Sequence, residues 1–464
     1  MRRIYRLLTL LLGSAALAGA MSCSSDDNDS TVATTTSCFV NAAVLGGINC
    51  TLHTTASDGS DSTYTAVLTG GNYPLSIDHL NGRIYLQDSL PKGCDISRVT
   101  FSTFTYKGRA IAIRSLTTAS DTVFNASDST DCSLPRLITV YGYDGTTRSY
   151  TLELKVHGQS GDEMDWTRVA TSDEVAALAD QRLLSDGDAL VLFGRSGSQT
   201  VKLTSTDDGA TWARDVADTP VQPRSVQLVG GNYFALDANG NVASSTDGLT
   251  WTITSSTQQF DALAGGTDML FGLTADAIYY SADGTAWTPD ELDTDAAPLP
   301  ATEIACAALP SRTNAGYEDV LLCGVASTGD ASLWRRTLAP EGRYTFPWNN
   351  LIVSADVAAY PTALGNVSLV VYDDAPLLCG LAADGTLPAL YISRDRGRTW
   401  LTTEIDAPAL AAATSLSAAT DDAGYLYLCA GGSGEVWRGC LARLAWKEVQ
   451  TSYYKIKFKR FKED

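Results

Sequence analysis

The sequence predicts an all-β chain: an N-terminal β-sandwich followed by a six-bladed β-propeller, with seven blades the weaker count. Three observations point there. The 464 residues contain 39 Gly beside 20 Tyr and 9 Trp, a balance that favours strands and tight turns. A Ser-x-Asp motif ending in Trp recurs through the second half, and the first half closes on alternating apolar strands around an Asp-Gly turn. The length is roughly three times one typical domain, so more than one folding unit is expected. With 44% apolar and 19% charged residues the chain has material for a real core, which excludes a disordered or coiled-coil protein. Fifty-three acids against 33 bases give a net charge of −20, opposing the phosphate neutralisation that a nucleic-acid partner requires.

In chain order, Arg2, Arg3 and Arg6 precede an apolar run from Leu7 to Ala20 that is too short to span a bilayer, so residues 1–22 read as a signal peptide. The run ends in Ala20-Met21-Ser22-Cys23, which resembles the lipobox of bacterial lipoproteins and implies lipidation of Cys23. Residues 24–29, Ser-Ser-Asp-Asp-Asn-Asp, resemble the acidic export signal that sends Bacteroidota lipoproteins to the outer face of the outer membrane. Removing residues 1–22 deletes three Arg and no acid, so the mature chain carries 30 bases and 53 acids, a net −23. Residues 23–37 form an acidic, Ser/Thr-rich tether.

Residues 38–157 form the sandwich. Its clearest element is a hairpin in which Ile138, Val140 and Gly142 face Tyr150, Leu152 and Leu154 across Asp144-Gly145. Such a closing hairpin looks like the last two strands of immunoglobulin-like or cadherin-like domains. A second turn-centred strand pair runs from Ile77 to Tyr85. Cys38, Cys50, Cys94 and Cys132 are an even set that can pair after export in any of three connectivities.

Residues 158–165 are a polar linker, and 166–450 form the propeller. Ser205, Asp207, Gly209 and Trp212, and again Ser393, Asp395, Gly397 and Trp400, match the Asp box S-x-D-x-G-x-T-W in every fixed position. Asp247, Gly248 and Trp251, and Asp283, Gly284 and Trp287, are copies one residue shorter. Six apolar strands line up across the repeats, at 191–194, 233–235, 270–272, 322–324, 378–380 and 428–430. Trp166, Trp212, Trp251, Trp287, Trp348, Trp400 and Trp446 average about 47 residues apart, the size of a four-stranded blade. In this box the Ser and Asp oxygens accept backbone N–H groups left over by a tight turn, Gly supplies a conformation other residues resist, and Trp packs between blades. The box resembles that of BNR-repeat, sialidase-like propellers. The whole chain resembles uncharacterised Bacteroidota surface lipoproteins with an immunoglobulin/cadherin-like domain before such a propeller, a family that implies a fold and no known activity. Trp166 to Val169 reads as a fourth strand lacking its first three, as expected if the N-terminal end completes the last blade.

A sialidase is rejected, since the chain lacks an Arg-Ile-Pro element and Arg195, Arg224 and Arg312 read as scattered surface cations. All three His lie at or before residue 157, which removes a histidine base or His-ligated zinc from the propeller. A glycosidase using a carboxylate pair is the alternative, with Asp373-Asp374 and Asp421-Asp422 as adjacent acids that read more simply as turn residues. Cys323, Cys379 and Cys429 share one position in successive blades and read as small packing residues. No catalytic residue, metal or cofactor is expected. The leading function is a lipid-anchored, surface-exposed outer-membrane protein whose propeller binds an extracellular glycan or protein without catalysis, the third reading being a structural component of a surface complex. Residues 451–464 are a basic tail.

Overall fold

The computed structural model describes residues 37–55, 61–161, 163–294, 298–340, 346–352, 360–402 and 405–441. Cys23, the 1–22 leader, the tether up to residue 36, Trp446 and the 451–464 tail lie outside them. The chain divides into two units: Met1–Asn49, Val67–Asp88 and Asp95–Leu154 form the first, and Cys50–Ala66, Ser89–Cys94 and Lys155–Asp464 the second.

The first unit is built on a six-stranded sheet in the order Leu75–Asp78, Arg83–Leu86, Thr147–Glu153, Arg136–Tyr141, Ala110–Arg114 and Asp121–Val123. One pair, Arg83–Leu86 with Thr147–Glu153, is parallel. The Asp-Gly hairpin is antiparallel, its turn fixed by Asp144 Oδ1 accepting the Thr146 N–H at 3.0 Å. Alternate side chains Ile84, Ile138, Val140, Tyr150 and Leu152 are fully buried, as the period-2 pattern requires. Of the four cysteines in residues 38–157, Cys50 and Cys94 are disulfide-bonded, while Cys38 and Cys132 are free thiols.

The second unit carries six successive antiparallel sheets among the described residues, spanning 179–216, 227–255, 262–289, 302–350, 365–392 and 415–441. Each of the six aligned apolar strands is the second strand of its sheet, buried on both faces, which is why it reads as an unbroken apolar run. The first strands, Ala179–Asp186, Gln227–Val229, Ala262–Gly265, Thr302–Pro310, Gly365–Tyr372 and Ser415–Thr420, neighbour one another in a closed ring, the turn Pro223–Ser225 completing the contact between the first two sheets. This is a β-propeller. The strand Met164–Thr171 pairs with Glu435–Leu441, so the N-terminal end supplies the outer strand of the last sheet. That pairing closes the ring within the described residues.

Candidate functional site

The two ends of the propeller sheets differ in chemistry. In the first sheet, Ala179 opposes Arg195 at one end, and Leu190 opposes Ser205 at the other. The first end is the mouth of the central channel; the second carries the Ser–Asp turns.

At the mouth, the first strands of the first, fourth and fifth sheets each begin with a register shift, between Ala179 and Arg182, Thr302 and Ala305, and Gly365 and Ser368. The extra residue in each bulge takes a left-handed backbone: Asp180 at φ +53°, Glu303 at +48° and Asn366 at +52°. A non-glycine residue pays roughly 1–2 kcal/mol for that conformation, and such strain gathers where side chains must be aimed. Here the bulges aim polar groups at Arg224, which stands in the turn Pro223–Ser225 leading into the second sheet. Its Nη1 donates to Asn366 Oδ1 at 3.1 Å, and its Nη2 to Glu303 Oε2 and the Val367 carbonyl, both at 3.1 Å. Glu303 Oε2 also accepts the Val367 N–H at 3.0 Å. One guanidinium therefore ties the second sheet to the fourth and fifth across the ring. Asp180 is ion-paired with Arg195.

Of these groups, Asp180, Arg195 and Arg224 line a cleft of about 740 Å³ between the first and second sheets, together with Gln199, Thr200 and Gln222 among others. That volume lies in the range of small-ligand sites. Farther along the ring axis, a cavity of about 360 Å³ is walled by residues from all six first strands, including Arg182, Gln227, Gly265, Cys306, Leu369 and Ala418.

At the opposite end, four turns share one hydrogen-bond plan. The serine hydroxyl accepts the N–H of the turn glycine: Ser205 from Gly209 at 2.9 Å, Ser245 from Gly248 at 2.9 Å, Ser281 from Gly284 at 2.9 Å and Ser393 from Gly397 at 2.7 Å. The aspartate then accepts backbone N–H groups two to four residues on: Thr211 on Asp207 at 2.9 Å, Thr250 on Asp247 at 2.8 Å, Thr285 on Asp283 at 2.9 Å and Thr399 on Asp395 at 2.8 Å. These bonds favour the ionised form. The Thr211 hydroxyl, then its backbone N–H, hold Asp207 down at about 2, and the Thr250 and Leu249 N–H groups do the same for Asp247. The glycines are required twice over: Gly248 has φ +71°, and a Cβ there would lie 2.8 Å from the Phe193 ring of the preceding sheet.

Each turn tryptophan packs between neighbouring sheets: Trp212 with Leu190 and Val436, Trp251 with Phe193 and Tyr233, Trp287 with Phe234 and Leu270, and Trp400 with Leu321 and Leu369. They are not equally buried. Trp400 and Trp251 are 3% and 6% exposed, whereas Trp212 and Trp287 are half-buried. None of these residues lines the mouth cleft or the channel cavity.

The three arginines weighed together in the sequence do not converge. Arg195 pairs with Asp180, Arg224 with Glu303 and Arg312 with Asp374, and only the first two reach the cleft. Asp373 is bound by Arg394 at 2.7 Å, and Asp421 accepts the Tyr425 N–H at 2.8 Å, so both adjacent acid pairs include a committed turn residue. Cys323, Cys379 and Cys429 are fully buried in the second strands of three successive sheets, and burial pushes the thiols of Cys323 and Cys379 up to about 12. No group of three His, Cys, Asp or Glu with metal-binding geometry occurs among the described residues. Sequence reasoning missed Asp180, Glu303, Asn366 and Arg182. Their only local signal is a polar residue at the head of an apolar strand.

No curated protein matches the chain. Among solved structures, AofleA from Arthrobotrys oligospora is similar at 14% identity and a TM-score of 0.36, over 58% of this chain and 83% of that one. A structural genomics protein of unknown function from Bacteroides thetaiotaomicron VPI-5482 is similar at 10% identity and a TM-score of 0.36, over 80% of this chain and 98% of that one. Residues 44–154 match the family described as "Domain of unknown function (DUF6242) N-terminal domain". Residues 160–449 match its partner, described as "DUF6242 beta propeller domain", and because that match alone spans more than half of the sequence, the chain belongs to the DUF6242 family.

Proposed function

We propose that this protein is a non-catalytic binder, held at the bacterial surface by lipid on Cys23, whose propeller takes a glycan in the cleft at the channel mouth. The observation that carries the reading is the wall of that cleft. Amide and guanidinium groups of Gln199, Gln222, Arg195 and Arg224 stand around about 740 Å³, the charged ones fixed by ion pairs and Gln222 Nε2 by the Asp237 carbonyl at 2.7 Å. Such a wall offers fixed donors and acceptors to a polyhydroxylated ligand at little ordering cost. A protein loop presenting hydroxyl and amide groups is the other occupant of the same chemistry.

In this cleft the carboxylate-pair glycosidase is disfavoured by the same wall. Two-acid hydrolysis needs two carboxyl groups about 5–10 Å apart on either side of the bond. Asp180 is the one acid lining the cleft, it is bound by Arg195, and the channel cavity beyond has no acidic lining residue. The test is a glycan array on the purified mature protein, followed by product analysis of every glycan bound. Saturable binding with the glycan recovered intact supports the reading; chain cleavage, or no binding to any glycan, overturns it. Anchoring is tested separately: Cys23→Ala should leave the protein out of the outer-membrane fraction, because a lipid would supply its membrane affinity.

A further inference from the structure

Arg182 stands on the first strand of the first sheet and faces the channel cavity. A guanidinium has five N–H donors and no acceptor. Among the described residues its one side-chain hydrogen bond runs from Nη2 to Gln227 Oε1 at 3.5 Å, and Nε is buried without a partner. Burial opposes its charge, the neighbouring Cys306 sulfur favours it, and nearby Arg224 adds repulsion. Arg336 in the fourth sheet shows the ordinary solution: its side chain, 10% exposed, carries its counter-ion within the protein, Asp290 at 2.9 Å. The Arg182 charge has no such carboxylate among the described residues.

The neighbours of Arg182 are arranged to leave it open. Gln227 Nε2 donates to the Leu263 carbonyl at 3.1 Å, which fixes the amide so that only its Oε1 turns to Arg182 and to the Cys306 thiol, each 3.5 Å away. The rest of the cavity, about 360 Å³, has a mixed wall: Ser185, Thr267 and Thr420 stand beside Leu184, Leu369 and Ala418. A weakly hydrated cation at the side of a partly apolar cavity matches a planar or tetrahedral oxyanion, which a guanidinium holds through two parallel N–H bonds.

We propose that the central channel is an anion site in which Arg182 binds the carboxylate, sulfate or phosphate group of a small ligand. The site is distinct from the mouth cleft and does not rest on the glycan reading. No covalent step is involved.

The test is calorimetry and thermal melting of the purified full chain in a zwitterionic buffer, with sodium benzoate, sodium sulfate and sodium phosphate as probes against sodium chloride at equal ionic strength. At least one oxyanion should bind saturably at one per chain and raise the melting temperature above the chloride reference. Arg182→Met, similar in length and neutral, should weaken that binding by on the order of tenfold or more, whereas Arg312→Gln, whose side chain is 73% exposed, should leave it unchanged. Binding of benzoate alone assigns a carboxylate on an apolar body; binding of sulfate or phosphate assigns an inorganic or ester oxyanion. The absence of a saturable oxyanion site in the unaltered chain overturns the proposal without any variant, and so does equal affinity in Arg182→Met.

Discussion

The two ends of the propeller sheets use the same residue types to opposite purposes. At the turn end, an aspartate meets its partners within four residues: Asp207 is satisfied by Ser205 and Thr211, and Asp395 by Ser393 and Thr399. At the mouth, Arg224 finds Glu303 79 residues away and Asn366 142 residues away. Local saturation leaves these box aspartates nothing for a ligand, and the Ser–Asp turn acts as a clasp that sets tryptophan between sheets. Long-range pairing on bulged, left-handed backbone holds charged groups at the edge of a cleft, where they remain within reach of a bound molecule.

The largest expected break in this contrast is Trp400→Ala, which should lower stability by about 3–5 kcal/mol, the usual cost of truncating a buried aromatic, without altering affinity in the protein that remains folded. Chemical denaturation read by tryptophan fluorescence checks it. Trp212→Ala should cost less, because Trp212 is only half-buried. Next comes Glu303→Gln, which leaves Arg224 without its carboxylate; with both side chains about a third exposed, at 29% and 31%, the loss should be about 1–2 kcal/mol, with glycan affinity falling as well.

The smallest effect is one of pH. Asp207 and Asp247 have folded values near 2, below the ordinary 3.8, so their stabilising effect is complete above about pH 4 and lost as pH falls towards 2. Melting temperature should be insensitive to these groups between pH 5 and 7 and should drop below pH 4. In Asp207→Asn part of that drop should disappear, and an unchanged acid limb would show that the turn bonds contribute nothing.

This contrast also explains what was legible in the sequence. The Ser–Asp turns, the second strands and the Asp144-Gly145 hairpin are local patterns, so spacing alone places them, and the pairing of the Met164–Thr171 strand was readable from a fourth strand with no predecessors. The Cys50–Cys94 pair was one of three connectivities, because spacing says nothing about which sulfurs meet. Glu303 was invisible for a similar reason. Its role depends on a one-residue bulge and on an arginine in another sheet, neither of which leaves a mark in the residues beside it. Arg182 was hidden within an ordinary strand, since an unpaired charge becomes evident only once the ring has closed around it.

The central claim is that the mouth binds and the turns do not. It is tested most directly by a glycan array run in parallel on the unaltered protein, Arg224→Gln and Asp207→Asn, each confirmed as folded by its melting curve. Binding is expected for the unaltered protein and for Asp207→Asn, with loss of at least about tenfold in Arg224→Gln. Binding that survives in Arg224→Gln but is lost in Asp207→Asn at an unchanged melting temperature would place the site at the turns and contradict it.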